Sequence, residues 1–285
     1  MFARPLSLAL LLLLPGVAAP DDLPAPEHGK LATSDATPVD PGALEVELSY
    51  EPSWNLRGAG SFARSAAGHA RVLGLGVTYG LRHGVDVSAS GGWASAYDAA
   101  WDHDPSDGIS GPAHGAGLTD LAAGVRWRFL QREGEGRLFE LAVLGGVVAP
   151  IGARASLDRV GLSQEHWSAD AALVASGDRG AFTANAELGA SAPFGARRGA
   201  ARGALFANVA AGWQLLPWLQ PELELHYDRA WSAGATPDAE LLGVTGGVVA
   251  PFGEGYRLAA GVQCAVWGRH AARTAAATVA FKWAH

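Results

Sequence analysis

The feature that most constrains this chain is an alternation, with a period of two residues, between apolar side chains and small or polar ones. In the stretch 181–192, Phe182 and Leu188 fall on one side of an extended strand, and Asn185 and Glu187 fall on the other. Successive side chains of a strand point to opposite faces. The alternation therefore predicts an all-β fold, a closed antiparallel transmembrane β-barrel with an apolar outside and a more polar lumen.

Counting these runs gives about twelve strands, each near the length that crosses an outer membrane when tilted. An even number places the N- and C-termini together in the periplasm. Short links alternate with long ones, which is typical of bacterial barrels with periplasmic turns and external loops. The predicted strands are 44–51, 71–80, 85–94, 118–130, 138–149, 165–176, 181–192, 203–215, 219–229, 240–250, 256–267 and 274–283.

The first 42 residues lack the alternation. Residues 1–19 read as a signal peptide, with Arg4, a leucine-rich core over 6–14 and cleavage near Ala19, and this predicts export. Residues 20–42 are rich in proline and poor in packing groups, so we predict a flexible periplasmic lead-in. A plug or partner-docking segment is the alternative. The barrel domain is predicted to span 43–285, in the outer membrane of a Gram-negative cell.

Charge and cysteine content exclude some classes. The net charge of −7 and the lack of a basic stripe argue against a nucleic-acid partner. Cys264 is the only cysteine, so an internal disulfide cannot hold the fold. Neither a cofactor nor a metal site is predicted, because no ligand spacing such as that of an EF-hand occurs.

Aromatic residues gather near the predicted strand ends, as expected where rings meet the lipid headgroups. A soluble β-sandwich with core aromatics is the competing interpretation. The last strand alternates through Val279, Phe281 and Trp283 but ends in His285. We expect membrane lipid and the outer-membrane assembly machinery as partners, with Phe281 and Trp283 as the residues that assembly recognises.

Two motifs resemble a known group. Tyr79-Gly80-Leu81 before Val85-Asp86-Val87, and 117–121 leading into 125–129, are similar to the bacterial outer-membrane proteins assigned to the MetA pathway of phenol degradation. In that family a Gly-x-Gly-Asp pattern opens the matching strand, whereas Thr119 replaces the second glycine here. The resemblance implies a transporter-like barrel for small solutes, including hydrophobic or aromatic ones, and its motifs are structural.

Strand parity predicts which side chains line the lumen. Carboxylates outnumber cationic groups there, so a pore should prefer cations or neutral solutes over anions. A register slip of one residue would reverse the faces of a strand. The densest polar row lies on one strand. The lumen-lining candidates are Glu222, Glu224, His226, Asp228, Arg126, Arg128, Asp86, Glu187 and Arg257.

The sequence leaves two other functions open. An outer-membrane hydrolase would need a nucleophile, a base and an orienting group, and Ser163, His166 and Asp158 are near one another in sequence. Nothing marks Ser163 as activated, so no catalytic residue is predicted. A non-conducting barrel for adhesion or surface display is the second alternative. The leading prediction is a channel that passes or binds small solutes passively.

Overall fold

The computed structural model describes residues 31–55, 68–98, 113–152, 163, 166–194, 202–232, 238–271 and 274–285. These residues form antiparallel strands, and none of them belongs to a helix long and apolar enough to cross a membrane. The predictions for the signal peptide and for residues 20–30 lie outside this range.

Thirteen strands are present in the described residues, and their bounds agree with the predicted ones to within a few residues. The exceptions are described below. The strands are β1 Leu44–Asn55, β2 Gly68–Arg82, β3 Val85–Asp98, β4 Ala113–Leu118, β5 Leu121–Gly134, β6 Arg137–Ala149, β7 Trp167–Arg179, β8 Phe182–Phe194, β9 Gly203–Trp213, β10 Gln220–Trp231, β11 Ala239–Phe252, β12 Tyr256–Arg269 and β13 Thr274–Ala284.

The sheet closes on itself. Strand β1 pairs with β2 on one side and with β13 on the other, and the pairing of β2 with β3 completes the ring. Strands β4 and β5 both pair with β3, one after the other along its length. Together they occupy one strand position of the barrel, with a break between them, and each strand position is called here a stave. The described strands therefore build a closed antiparallel barrel of twelve staves, and the predicted fold is confirmed.

The ends of the barrel differ in their links. At one end, called here the turn end, short links such as 83–84 and 135–136 join the strands, and the N-terminus of β1 meets the C-terminus of β13. Gly84 and Gly136 have φ values of +79° and +62°, which residues with a Cβ rarely adopt. At the other end, called the loop end, the links include 56–67, 99–112 and 195–202.

The β4–β5 stave departs from the prediction. We predicted one strand over 118–130 after a loop from 95 to 117, but β3 continues to Asp98 and pairs with residues 113–118. The pairing is interrupted at Thr119 and Asp120. There the Asp120 carboxylate accepts hydrogen bonds from the Gly152 amide at 2.8 Å and the Ser163 hydroxyl at 2.6 Å. Asp120 thus ties the segment beyond β6 to the break, which strand alternation alone does not reveal.

The two faces of the wall have opposite character. On β10, Leu223 and Leu225 are 58% and 48% exposed, whereas the alternating Glu222, Glu224 and His226 are buried in the lumen. Large apolar side chains are likewise exposed around the other strands. Such an extensive apolar exterior calls for a lipid environment, where ring closure satisfies the backbone polar groups. The predicted parity of β10 is correct, because its register with β9 and β11 runs without a shift.

Candidate functional site

The segment that precedes the first strand lies inside the barrel. Residues 31–42, called here the lumen strap, run from the turn end of β2 across the lumen to β10, β11 and β12. The Gly42 N–H donates to the Gly80 carbonyl at 2.8 Å, which fixes the C-terminal end of the strap at the turn end. We predicted a flexible spacer here, but these residues are bound to the wall, as the plug alternative requires.

Glu224 holds the far end of the strap. Its carboxylate accepts hydrogen bonds from the backbone amides of Leu31 at 2.7 Å and Thr33 at 3.0 Å, and from the Thr33 hydroxyl at 3.0 Å. The Glu224 side chain is fully buried. A buried carboxylate is tolerated only when donors surround it, and the strap supplies several of them.

Three more wall carboxylates bind the strap in turn. Glu187 on β8 accepts from the Ser34 hydroxyl at 3.0 Å, and Glu140 on β6 accepts from the Thr37 hydroxyl at 2.5 Å. Asp86 on β3 accepts from the Val39 amide at 3.0 Å. The strap is therefore attached to acidic groups spread over half of the wall. It also has a small apolar contact, where Ala36 packs against Ala142 and Val174.

Arg126 connects the strap to the wall by charge. Its guanidinium lies 2.8 Å from the Asp35 carboxylate of the strap and 3.0 Å from the Asp86 carboxylate of β3. The Arg126 side chain is 16% exposed and that of Asp86 is 2% exposed, so water screens this triad weakly. The triad fixes the strap against β3 and β5.

Substituting Arg126→Met should destabilise the barrel by about 3–5 kcal/mol, because Asp86 would remain buried without its cation. Urea unfolding of the refolded protein in lipid, followed by tryptophan fluorescence, measures the loss. Arg132→Met, at an exposed position near the β5–β6 turn, is the matched control and should change the free energy of unfolding little. Equal losses for both variants would contradict the triad's role.

The tip of the strap sits in a notch made by two glycines. Gly247 on β11 and Gly261 on β12 face each other in the register, and a Cβ added to them would lie 2.7 and 2.9 Å from the Leu31 Cδ1 atom. Distances below about 3.0 Å do not occur for real Cβ atoms. Because neither glycine carries a side chain, there is room for Leu31 between the two strands.

Gly261→Ala should push Leu31 out of this notch and loosen the attachment of the strap to the wall. A Cβ built on Gly261 would lie 2.9 Å from the Leu31 Cδ1 atom and 3.4 Å from the Leu31 Cδ2 atom, so the side chain that it meets is that of Leu31. The double variant Gly261→Ala with Leu31→Ala should relieve this clash, because alanine at position 31 is too short to reach the added Cβ. Limited proteolysis of the strap in the refolded protein measures both variants, and identical cleavage rates for Gly261→Ala and the unmodified protein would show that the notch does not hold the strap.

A cavity of about 470 Å³ lies beside the strap. Strap residues 31–35 form its floor. One side of its wall, on β2, β3, β5 and β6, carries almost exclusively small inward residues, and this is why space remains open in a barrel of twelve staves. These small lining residues are Gly76, Thr78, Ser88, Ser90, Ala122, Gly124 and Gly146.

The charges that line the cavity are predominantly negative. Three cationic groups, Arg126, Arg257 and Lys282, also contribute to the lining. The Lys282 ammonium lies 2.6 Å from the Glu45 carboxylate, so its charge is balanced locally. The six lining carboxylates are Asp35, Glu45, Glu47, Asp86, Asp170 and Glu187. Carboxylates thus outnumber cations two to one in the cavity.

The structure brings most of the predicted lumen residues into two groups. Asp86, Arg126, Glu187 and Arg257 line the cavity. Arg128 forms an ion pair with Glu140 beside the strap, below the cavity.

On β10, the predicted polar row divides along the strand. Glu224 binds the strap, and His226 lies 3.2 Å from Asn208 and 2.9 Å from Thr245. Glu222 is buried nearer the turn end, where Gln220 donates to it at 2.8 Å. Asp228, on the same face near the loop end, is exposed. The row therefore does not act as one ladder facing open water.

Sequence reasoning missed the strap's contribution to this site. Thr33, Ser34, Asp35 and Thr37 supply donors and charge to the lumen, although no alternation marks them. The one available signal was their composition, since this run contains more hydroxyl groups than the proline-rich residues before it. Phe206 also lines the cavity. It was not predicted to do so, because strand parity was considered only for charged residues.

The residues of the hydrolase alternative are only partly described. The Ser163 hydroxyl donates to Asp120, which itself binds the Gly152 amide. This arrangement accounts for Ser163 as a structural tie at the strand break, whereas Asp158 lies outside the described residues. Among the described residues, no group of three or more histidine, cysteine, aspartate or glutamate side chains could hold a metal ion.

Comparison with known proteins places the fold. No family model matches the sequence, and no curated protein matches it. Among solved structures, the COG4313 outer membrane channel from Pseudomonas putida F1 is similar, with a TM-score of 0.69 and 13% identity over 90% of this chain and 100% of that one. At this identity the likeness shows a shared fold.

Looser likenesses are found to two other barrels. The KdgM porin has a TM-score of 0.45 and 10% identity over 83% of this chain and 98% of that one. The translocator domain of autotransporter NalP from Neisseria meningitidis has a TM-score of 0.43 and 13% identity over 86% and 89%. These two scores are too low to support a functional argument. The chain thus has the fold of an outer-membrane β-barrel.

Proposed function

We propose that this protein is an outer-membrane channel for the passive passage of small solutes, and that the lumen strap is its gate. The observation that carries the proposal is the position of the strap, which crosses the lumen from the turn end and lines a solute-sized cavity. A barrel that served only for surface display would need neither an open cavity nor a strap bound beside it.

The way the strap is held supports a gating role. Its attachments are mainly hydrogen bonds and ion pairs to wall carboxylates, with two small apolar contacts, at Ala36 and at Leu31. Water can replace such bonds once the strap leaves, and each hydrogen bond to a charged group contributes only about 1.5–3 kcal/mol. A strap bound in this way can detach without unfolding the wall.

The proposal includes the location of the protein. The apolar exterior would face the lipid of a Gram-negative outer membrane, reached after cleavage of a signal peptide near Ala19 and insertion by the assembly machinery. The turn end would lie in the periplasm, as short turns do in bacterial barrels, and the loop end would face outwards. The strap would then open or close the periplasmic side of the channel.

The surplus of carboxylates in the cavity should make the open channel selective for cations. We expect a reversal potential of the sign for potassium preference when the refolded protein separates two KCl solutions of different concentration in a planar bilayer. Asp170→Asn together with Glu47→Gln should reduce that potential. A potential of the opposite sign would contradict the charge argument. A barrel that never conducts would favour the adhesion alternative.

A further inference from the structure

An aromatic ring lies in the cavity wall at a place where a neighbouring strand has no side chain. Phe206 on β9 pairs in register with Gly189 on β8, and Gly189 pairs with Ala172 on β7. A Cβ built on Gly189 would collide with the Phe206 ring, and it would also lie 2.8 Å from the Ala172 Cβ. The ring therefore lies across β8 and reaches towards β7, where it borders the cavity.

A carboxylate lies one inward position further along β7. Asp170 faces the cavity two residues from Ala172 and is partly buried. In the part of the chain that the structure describes, no hydrogen bond or ion pair with the Asp170 carboxylate is found. This sets it apart from other carboxylates of the cavity, since Glu45 contacts Lys282, Asp86 contacts Arg126, and Glu187 accepts from Ser34 and Asn208.

Two of the three cationic groups of the cavity, Arg126 and Lys282, are less available to a solute. Arg126 is held between Asp35 and Asp86, and Lys282 lies against Glu45 with Glu47 at 3.9 Å. An anionic solute would have to displace these partners and would meet a surplus of negative charge. A positive solute would find Asp170 open and the Phe206 ring in the same cavity wall. Carboxylate and aromatic ring are the combination that attracts ammonium groups.

We propose that the cavity beside the strap is a binding site for small organic cations, in particular primary amines with an apolar or aromatic body. Asp170 binds the ammonium group. Phe206, Ala172 and Leu31 contact the apolar part, and the volume of about 470 Å³ limits the solute to one of small size. This inference deepens the proposed function and rests on it, because it names the solute class of the same channel.

The test compares three probes of one shape that differ in charge: benzylamine, benzyl alcohol and benzoate. Equilibrium binding to the refolded full chain is measured by calorimetry in detergent, where passage through a membrane is not needed. We expect benzylamine to bind more tightly than benzyl alcohol, and benzoate to bind least. Asp170→Asn should weaken benzylamine binding about tenfold, the size of a modest contribution from a close charge pair, and leave benzyl alcohol unchanged.

Two further variants complete the experiment. Phe206→Leu should weaken both benzylamine and benzyl alcohol, because both lose the ring contact. Glu254→Gln removes one negative charge at the exposed β11–β12 turn, outside the cavity, and should change nothing. Equal binding of benzylamine and benzoate, or an Asp170→Asn variant that binds benzylamine normally, would overturn the inference. Liposome uptake of benzylamine is measured separately, so specific binding without uptake would refute the channel function alone.

Discussion

A refolded chain that begins at Pro41 should conduct ions several-fold better, and stay open longer, than a chain that begins at Pro20. The shorter chain lacks every strap group that binds Glu224, Glu187 and Asp86. The wall itself should still close, because β1 begins at Leu44 and its pairing with β2 and β13 needs no strap residue. Single-channel recordings in planar bilayers measure the conductance and the open time.

The control for this truncation keeps the length of the chain. Replacing residues 31–40 by a glycine and serine sequence removes the Leu31, Thr33 and Asp35 side chains but leaves a tether of equal size. It should also raise the open time, because only specific contacts hold the strap. If both altered chains conduct like the chain that begins at Pro20, the strap is not the gate, and the resistance lies elsewhere in the lumen.

The second large effect is expected from filling the cavity. Ser90→Trp places a large ring at an inward position of β3 that is now open to the cavity, opposite Gly76 and Ala122 in the register. In the chain that begins at Pro41, this substitution should reduce the conductance several-fold and abolish passage of small solutes into liposomes. The reason is steric, since a tryptophan side chain would fill much of a space of about 470 Å³.

Ala89→Trp is the matched control for this experiment. Ala89 is the adjacent residue of the same strand, and its side chain points to the lipid face, as that of the exposed Val87 does. The same large side chain at this position should leave the conductance unchanged. A similar reduction by both substitutions would mean that tryptophan perturbs β3 as a whole, and the cavity would then not be the conducting path.

The wall of the barrel could be predicted from the sequence because each strand repeats a simple physical rule. Lipid outside and polar groups inside force an alternation, so Leu223 and Leu225 could be separated from Glu222 and Glu224 without coordinates. The broken stave could not be predicted in the same way. Residues 113–118 pair with the extension of β3, and the break depends on the contacts of Asp120 with Gly152 and Ser163, which are distant in sequence.

The lumen strap could not be predicted because its structure is imposed by its surroundings. Residues 31–42 have no period of their own, and their amides find partners on strands up to 193 positions away. Parity could place Glu187 and Glu224 in the lumen, but it could not show that strap amides and hydroxyls would donate hydrogen bonds to them. For the same reason, the predicted polar row of β10 was correctly oriented but was not recognised as an anchor.

The C-terminal end of the strap lies beside the pairing of β1 with β13, which closes the barrel. Leu44 exchanges backbone hydrogen bonds with His285 at 2.9 Å in each direction, two residues after Gly42. The docking positions on β3, β6, β8 and β10 surround the strap in one enclosed lumen, and the pairing of the first strand with the last completes that enclosure. We therefore expect the earliest part of the described chain to find its place last, so that each newly inserted molecule passes through a leaky stage before it becomes tight.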